Sequence, residues 1–81
     1  MTEDEIRNIV FQELRKIAPE TNLDQLGPNE NLRETLDIDS FDFLNFLIAL
    51  HEKLHVEIPE SDYGKLGSLG EMVRYLSARR K

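Results

Sequence analysis

Asp39-Ser40 is the first of two stretches whose side chains could take part in chemistry, and it stands where a strongly helical segment begins. Nothing nearby marks a general base or an oxyanion hole for the Ser40 hydroxyl, so no catalytic residue is predicted here. A hydroxyl at a helix start is well placed to carry a group, because an esterified phosphate would meet free backbone N–H groups and the positive end of the helix dipole. The alternative is that Ser40 serves only as an N-cap.

His51-Glu52-Lys53-Leu54-His55 is the second stretch, and it has the H-E-x-x-H spacing. Two imidazoles at i and i+4 share a helix face and can bind zinc, and Glu52 could activate a zinc-bound water. These are the only histidines in the sequence, so a further ligand would have to be a carboxylate such as Glu71. The motif also lies shortly before Pro59, where helical geometry is not assured. The motif is therefore interpreted in one of two ways, as the zinc site of a hydrolase or as two partly exposed histidines on a helix.

The segment Asp37-Ile38-Asp39-Ser40-Phe41-Asp42 is superficially similar to a calcium-binding loop. Its fifth position is Phe41, its sixth is Asp42 in place of glycine, and its twelfth is Ile48 in place of glutamate, so the calcium hypothesis fails. A weak structural site for a divalent cation among the three aspartates is the most that the segment supports. No metal site is predicted.

The composition limits the classes of protein to consider. A formal net charge of −6, no cysteine and 40% hydrophobic residues in 81 allow one small domain, at residues 1–78, without disulfides. The acidic charge disfavours nucleic acid and anionic lipid and favours basic protein surfaces as partners. No run reaches the roughly 18 apolar residues of a membrane span, and the acidic start is unlike a secretory signal. We expect a cytoplasmic monomer whose basic tail, residues 79–81, has no function.

Capping boxes and hydrophobic spacing predict an all-α fold. The pattern from Thr2 to Glu5 starts a first helix that ends before Pro19, and the pattern from Ser68 to Glu71 starts a last helix. A second helix runs from Ser40 to about residue 54, followed by an extended stretch at 55–59 and a short helix at 60–66. The sum is a small four-helix bundle with three main helices, one short helix and a long first loop. Apolar residues anchor that loop at Leu23, Leu26, Leu32, Leu36 and Ile38.

The helix that begins at Ser40 has more apolar surface than one core face requires. Its expected core face contains Phe43, Phe46, Leu47, Leu50 and Leu54. A second apolar face, on the side of Ser40, consists of Phe41, Leu44 and Ile48. Either the long loop packs over this second face, or it is a docking surface for a partner or a guest molecule.

Two segments of the sequence match one protein family in register. Leu36-Asp37-Ile38-Asp39-Ser40-Phe41-Asp42 is similar to an Asp-Ser-Leu attachment segment, and Leu54-His55-Val56-Glu57-Ile58-Pro59-Glu60-Ser61-Asp62 is similar to a Phe-Gly-Ile-Glu-Ile-Pro segment. With both, the chain resembles the discrete acyl carrier proteins of fatty-acid and polyketide synthesis. The resemblance covers nearly the whole chain, including its length, acidic charge, long first connection and final amphipathic helix.

The resemblance implies a carrier and not an enzyme. A phosphopantetheinyl transferase would place a 4′-phosphopantetheine arm from coenzyme A on Ser40. The chain has no cysteine and so no thiol of its own. The thiol of the arm would hold acyl groups as thioesters. Loading ligases or synthases would bring basic patches to a docking neighbourhood of Asp39, Phe41, Asp42, Leu44, Ile48 and Glu52.

This chain also departs from the family pattern. Phe41 replaces the family's leucine, and Asn45, His51 and Lys53 dilute the acidic face of the second helix. A peptidyl or aminoacyl carrier remains an alternative because it shares the fold and the serine. An acidic interaction module without a prosthetic group is a further alternative.

Overall fold

The first helix begins at the predicted capping box. The computed structural model describes residues 2–79, apart from the side chain of Asp24, and within them α1 spans Glu3–Ile17. Thr2 Oγ1 accepts from the Glu5 backbone N–H at 3.2 Å, and Glu5 Oε1 accepts from the Thr2 backbone N–H at 3.0 Å. The bond from the Thr2 backbone is the main reason that the pKa of the Glu5 carboxyl lies below its ordinary value. The helix stops ahead of Pro19, as predicted.

The first connection is more ordered than a plain loop. It contains a 3₁₀ turn, η1 at Leu23–Gln25, and a single helical turn, α2 at Leu32–Thr35, neither of which was predicted. Asn31 caps α2, because its Oδ1 accepts from the Glu34 backbone N–H at 3.0 Å. The predicted apolar anchors are confirmed: Leu26 is partly buried, and the buried ones are Leu23, Leu32, Leu36 and Ile38.

A tight reversal ends α2 and leads directly into the next helix. Asp37 has a left-handed backbone with φ 54°, and the Ile38 N–H donates to the Arg33 carbonyl at 2.9 Å. This is the six-to-one bond of a Schellman motif, in which a left-handed residue turns the chain back across the helix end. The reversal places α2 beside the start of the following helix.

α3 spans Ser40–Leu54 and buries the predicted core face. Asp39 is its N-cap, because Oδ1 accepts from the Asp42 backbone N–H at 2.7 Å. The helix ends at His55, whose φ of 55° and ψ of 40° are left-handed. All five predicted core residues are buried: Phe43, Phe46, Leu47, Leu50 and Leu54.

The C-terminal third contains the predicted short helix and last helix. After an extended stretch comes the 3₁₀ helix η2 at Glu60–Leu66, and then α4 at Leu69–Arg79. Ser68 caps α4 by accepting from the Glu71 N–H at 3.3 Å. The Glu71 carboxylate accepts a bond of 2.8 Å from the Ser68 hydroxyl, so it reaches the serine side chain and not the cap backbone of a standard capping box. Of the predicted basic tail, Arg80 and Lys81 lie outside the described residues.

α1 packs against α3 and α4, and α4 packs against η2, around one shared apolar core. Within residues 2–79 the extended pairing is limited to a bridge between Asn31 and Ser68, so the predicted all-α bundle is confirmed. The Leu32 N–H donates to the Gly67 carbonyl at 2.8 Å, beside that bridge.

The start of α4 also approaches the first connection at Gly70. The Gly70 N–H donates to the Pro28 carbonyl at 2.9 Å, and a Cβ at residue 70 would lie 3.0 Å from that same carbonyl oxygen. Glycine is therefore the residue that allows the backbones this close. Together with the pairing at Leu32 and Gly67, this contact holds the first connection on α4.

A buried carboxylate joins α1 to α3. Glu13 is 4% exposed, and its Oε2 lies 3.0 Å from the amino groups of both Lys16 and Lys53. Burial alone would raise the pKa of the Glu13 carboxyl, but the two lysines outweigh that effect and hold the pKa below its ordinary value. The two lysines therefore keep the Glu13 carboxylate ionised between α1 and α3.

Candidate functional site

Ser40 is the first residue of α3 and is exposed to solvent. Because Asp39 is the N-cap, the alternative in which Ser40 serves only as an N-cap is excluded. Within the described part of the chain, the Ser40 hydroxyl takes part in no hydrogen bond. It is therefore accessible and chemically uncommitted, at the positive end of a 15-residue helix.

A groove of about 560 Å³ begins at Ser40 and runs between α2, α3 and η2. The α3 side is apolar, with Phe43, Leu44 and Leu47. The opposite wall comes from η2, which contributes Glu60, Tyr63 and Gly64. A flexible chain attached at Ser40 would thus have an apolar surface beside its attachment point.

The second apolar face of α3 is uncovered. Phe41 is 70% exposed, Leu44 39% and Ile48 45%, so the alternative in which the long loop packs over them is excluded. We call Phe41, Leu44 and Ile48 the apolar patch. These side chains lie within about two turns of Ser40, since two turns of helix cover about seven residues.

The predicted acidic docking residues do not form one cluster. Asp39 and Asp42 flank Ser40, and both are exposed. Glu52 is also exposed, but it lies in the last turn of α3, roughly 15 Å along the axis from Asp42 at 1.5 Å per residue. The structure therefore brings Asp39, Asp42 and the apolar patch together and leaves Glu52 apart.

The histidine motif does not have the geometry of a zinc site. His51 Nδ1 lies 2.7 Å from the Val56 carbonyl oxygen, and His55 has left the helix in a left-handed conformation. Among the side chains that the structure describes, no three of the ligating types are grouped so that they could hold a metal ion. The zinc-hydrolase alternative is thus rejected, and so is the weak cation site among the three aspartates at 37–42.

A network that the sequence analysis missed fixes the η2 wall of the groove. Asp62 on η2 accepts from the Tyr75 hydroxyl at 2.6 Å and from Arg79 Nη2 at 3.0 Å, and Lys65 Nζ lies 3.3 Å away. The bond from Tyr75 is the largest cause that lowers the pKa of the Asp62 carboxyl, and the charges of Lys65 and Arg79 add to it. Burial, followed by the bond to Asp62, raises the pKa of the Tyr75 hydroxyl.

Arg33 is a second residue of the site that the sequence analysis missed. It lines the groove together with Ser40, and its guanidinium carbon lies 5.9 Å from the centre of the Phe43 ring. The sequence did contain a feature that could have indicated this residue, because Arg33 is the only lysine or arginine between Lys16 and Lys53.

The comparisons with known proteins agree with this geometry. Residues 4–76 match the family model described as "Phosphopantetheine attachment site". The acyl carrier protein of Campylobacter fetus is 35% identical over 78 residues, which are 96% of this chain and 95% of that protein. The acyl carrier protein of Chlamydia caviae is 31% identical, over 95% of this chain and 94% of that protein.

Two solved structures have the same fold. A putative acyl carrier protein from Anaplasma phagocytophilum superposes with a TM-score of 0.83 at 26% identity, covering 100% of this chain and 94% of that one. The acyl carrier protein from Enterococcus faecalis superposes with a TM-score of 0.76 at 26% identity, covering 98% and 99%.

The helical-bundle fold and the match to the attachment-site family together identify the chain as a carrier domain. The chain belongs to the phosphopantetheine-attachment family, among the acyl carrier proteins. It is a carrier and not an enzyme, and its cofactor is a covalently attached 4′-phosphopantetheine. The accessible hydroxyl of Ser40 and the adjoining groove fit such a group. The arm supplies the thiol on which acyl groups are held as thioesters and presented to biosynthetic enzymes. Among residues 2–79 no helix is long and apolar enough to cross a membrane.

Proposed function

We propose that Ser40 is the residue to which the 4′-phosphopantetheine is attached. The observation that carries the proposal is the exposed, unbonded hydroxyl at the first position of α3, next to a cap made by Asp39. A phosphodiester formed there remains in solvent, at the favourable end of the helix dipole. The matched span 4–76 contains Ser40 together with Ser61 and Ser68, so the family match is compatible with Ser40 and the choice among these serines rests on the geometry.

Intact-protein mass spectrometry tests this assignment. The protein is incubated with coenzyme A, magnesium and a broad-specificity phosphopantetheinyl transferase, and it should gain the mass of one arm. Ser40→Ala should show no gain, whereas Ser61→Ala, which alters an exposed serine on η2, should behave like the wild type. A full gain in Ser40→Ala would overturn the assignment.

The proposed partners are the transferase, an acyl-loading ligase or synthase, and the enzymes that use the acylated arm. They would dock on Asp39, Asp42 and the apolar patch, with Glu52 as a contact further along α3. Apolar residues exposed beside an attachment point provide area to bury, and flanking carboxylates steer basic surfaces toward it. Exposure of Phe41, Leu44 and Ile48 supports this proposal.

The two halves of the docking surface should have different kinetic effects. Ile48→Ser removes buried area, so it should speed dissociation from the transferase with little dependence on salt. Asp42→Asn should slow association, and the defect should fade at high salt. Glu20→Gln removes the same charge at an exposed position of the first connection and is the matched control. Equal effects of Asp42→Asn and Glu20→Gln would show that only net charge matters.

We further propose that the protein acts in the cytoplasm as a monomer with one domain at residues 1–78, and that its cargo is acyl. The names of the relatives support an acyl cargo over an aminoacyl one. Mass analysis of the thioester on protein purified from its native cells tests this, since an amino acid on the arm would favour the peptidyl-carrier alternative. Sedimentation of the same sample tests the monomer.

A further inference from the structure

Arg33 is held at the groove by backbone contacts on both sides of α2. Asn31 caps the turn, and the Arg33 carbonyl accepts from the Ile38 N–H at 2.9 Å in the reversal that leads to Ser40. The pairing of the Leu32 N–H with the Gly67 carbonyl at 2.8 Å fastens the same turn to the segment before α4. A residue on a mobile loop would have no fixed position relative to Ser40. These contacts fix the backbone of Arg33 relative to Ser40.

The charge of Arg33 is unbalanced within the described residues. Five of the described lysines and arginines pair with carboxylates: Arg7 with Asp4, Lys16 and Lys53 with Glu13, and Lys65 and Arg79 with Asp62. Arg33, like Arg15 and Arg74, forms no such pair with the described side chains, and its guanidinium carbon lies 5.9 Å from the centre of the Phe43 ring. Among the described residues that line the groove, it is the only cation.

A phosphodiester on Ser40 would create a local electrostatic problem. It adds a negative charge between Asp39 and Asp42, on a chain that already carries a net charge of −6. Like charges this close repel, and a nearby guanidinium relieves the repulsion. The planar fork of arginine also matches two phosphate oxygens better than the point charge of lysine does.

We propose that Arg33 binds the phosphodiester of the protein's own prosthetic arm and thereby directs the arm along the groove. The proposal rests on attachment at Ser40 and goes beyond it, because it assigns an arm-positioning residue outside the attachment segment. The aromatic ring of Phe43 keeps the guanidinium beside the groove by a cation–π contact.

A carboxylate at the far end of an acyl cargo is a second possible anion for the same guanidinium. The phosphodiester is favoured because it is tethered directly to Ser40 and is present with every cargo. The phosphodiester and the cargo carboxylate predict different results for three forms of the protein. In these forms the arm ends in a free thiol, in a neutral acyl group, or in an acyl group with a terminal carboxylate.

Phosphorus-31 NMR of the arm-bearing protein tests the contact. The wild type is compared with Arg33→Gln, with Arg33→Lys and with Arg74→Gln, which removes an exposed arginine on α4 away from the groove. The phosphodiester resonance of Arg33→Gln should move away from that of the wild type and sharpen, while Arg74→Gln should match the wild type. The ratio of bound to free arm should fall about two- to fivefold in Arg33→Gln, the range for an exposed ion pair. Arg33→Lys should lie between the two.

Three further observations complete the test. The difference between wild type and Arg33→Gln should shrink in 1 M salt, where the screening length falls to about 3 Å. The Arg33 Nε–H signal should shift when the arm is added with a free thiol. If it shifts only with a carboxylate-ended cargo, or if Arg33→Gln and wild type have the same phosphorus spectrum, the proposal is overturned. A mass gain of one arm in Ser40→Ala would instead refute attachment at Ser40, so the two failures are distinguishable.

Discussion

The Tyr75 hydroxyl donates a 2.6 Å hydrogen bond to Asp62 Oδ2, and this bond connects the wall of the groove to the last helix. Asp62 lies on η2, which contributes Tyr63 to the groove, and Tyr75 lies on α4. The guanidinium of Arg79 bonds the same carboxylate oxygen at 3.0 Å and lies 4.5 Å from the Tyr75 ring centre. A short 3₁₀ helix is thereby held against a long α-helix.

We predict that Tyr75→Phe lowers the free energy of unfolding, with a characteristic pH dependence. The lowered pKa of Asp62 means that its contribution is complete above its ordinary value of about 4 and is lost as the pH falls through the folded value. The raised pKa of Tyr75 means that its contribution is complete below about pH 10 and is lost as the pH rises through the folded value. The difference in unfolding free energy between wild type and variant should therefore be independent of pH between about pH 4 and about pH 10, and it should shrink below and above that range.

Urea titrations from about pH 3 to pH 11 measure this difference. Tyr63→Phe is the matched control, because the Tyr63 hydroxyl bonds to nothing within residues 2–79. A Tyr75→Phe variant as stable as the wild type at neutral pH would contradict the prediction.

Asp39 should have two separable roles. Asp39→Ala removes the cap of α3 and should cost about 1 kcal/mol of stability, within a range of about 0.5–2. Asp39→Asn keeps a capping oxygen and removes only the charge, so its stability should stay near that of the wild type. Both variants should take up the arm more slowly, because both lose a carboxylate beside Ser40. Denaturant midpoints and loading rates measured on the same samples separate the two roles.

His55→Gly should stabilise the protein by about 0.5–1 kcal/mol. His55 is left-handed with φ 55°, a conformation that costs an ordinary residue about 1–2 kcal/mol, and glycine escapes this cost while adding a smaller one through the flexible unfolded chain. Glu57→Gly, in the extended stretch, is the control and should destabilise. Thermal or chemical unfolding of both variants decides the matter, and a less stable His55→Gly would show that the histidine is under no strain.

Added salt should raise the thermal midpoint. The chain carries a net charge of −6, and among the acidic side chains that the structure describes only Asp4, Glu13 and Asp62 form ion pairs. Screening weakens repulsion among the remaining carboxylates more than it weakens these few attractions. Glu13→Gln deletes an attraction that salt would weaken, so its midpoint should rise more steeply with salt. A midpoint that falls in the wild type would mean that attractive pairs dominate.

The sequence was sufficient to predict the long helices and the serine. Fifteen residues of α3 are enough for the 3.6-residue period to separate Phe43 and Leu50, which are buried, from Phe41, which is exposed. The capping pattern at Thr2 also predicted a real start, since a cap depends on residues only three apart.

The missed features depend on interactions that no local pattern contains. α2 is one turn long, so no period can develop within it, and Arg33 therefore appeared as a loop residue. Asp62 meets Tyr75 and Arg79 from 13 and 17 residues away, and nothing in the spacing of these residues indicates the contact. The left-handed backbone of His55 was likewise hidden, although the similar family segment has glycine at that position.

The contact between Pro28 and Gly70 has a consequence for the order of events in a newly made chain. Because the contact between Pro28 and Gly70 needs α4 in place, the surface around Ser40 is completed by a helix that is synthesised after the serine. An emerging polypeptide already exposes its serine but not the finished surroundings. Prosthetic-group addition is accordingly expected to follow the folding of α4 onto the first connection rather than precede it.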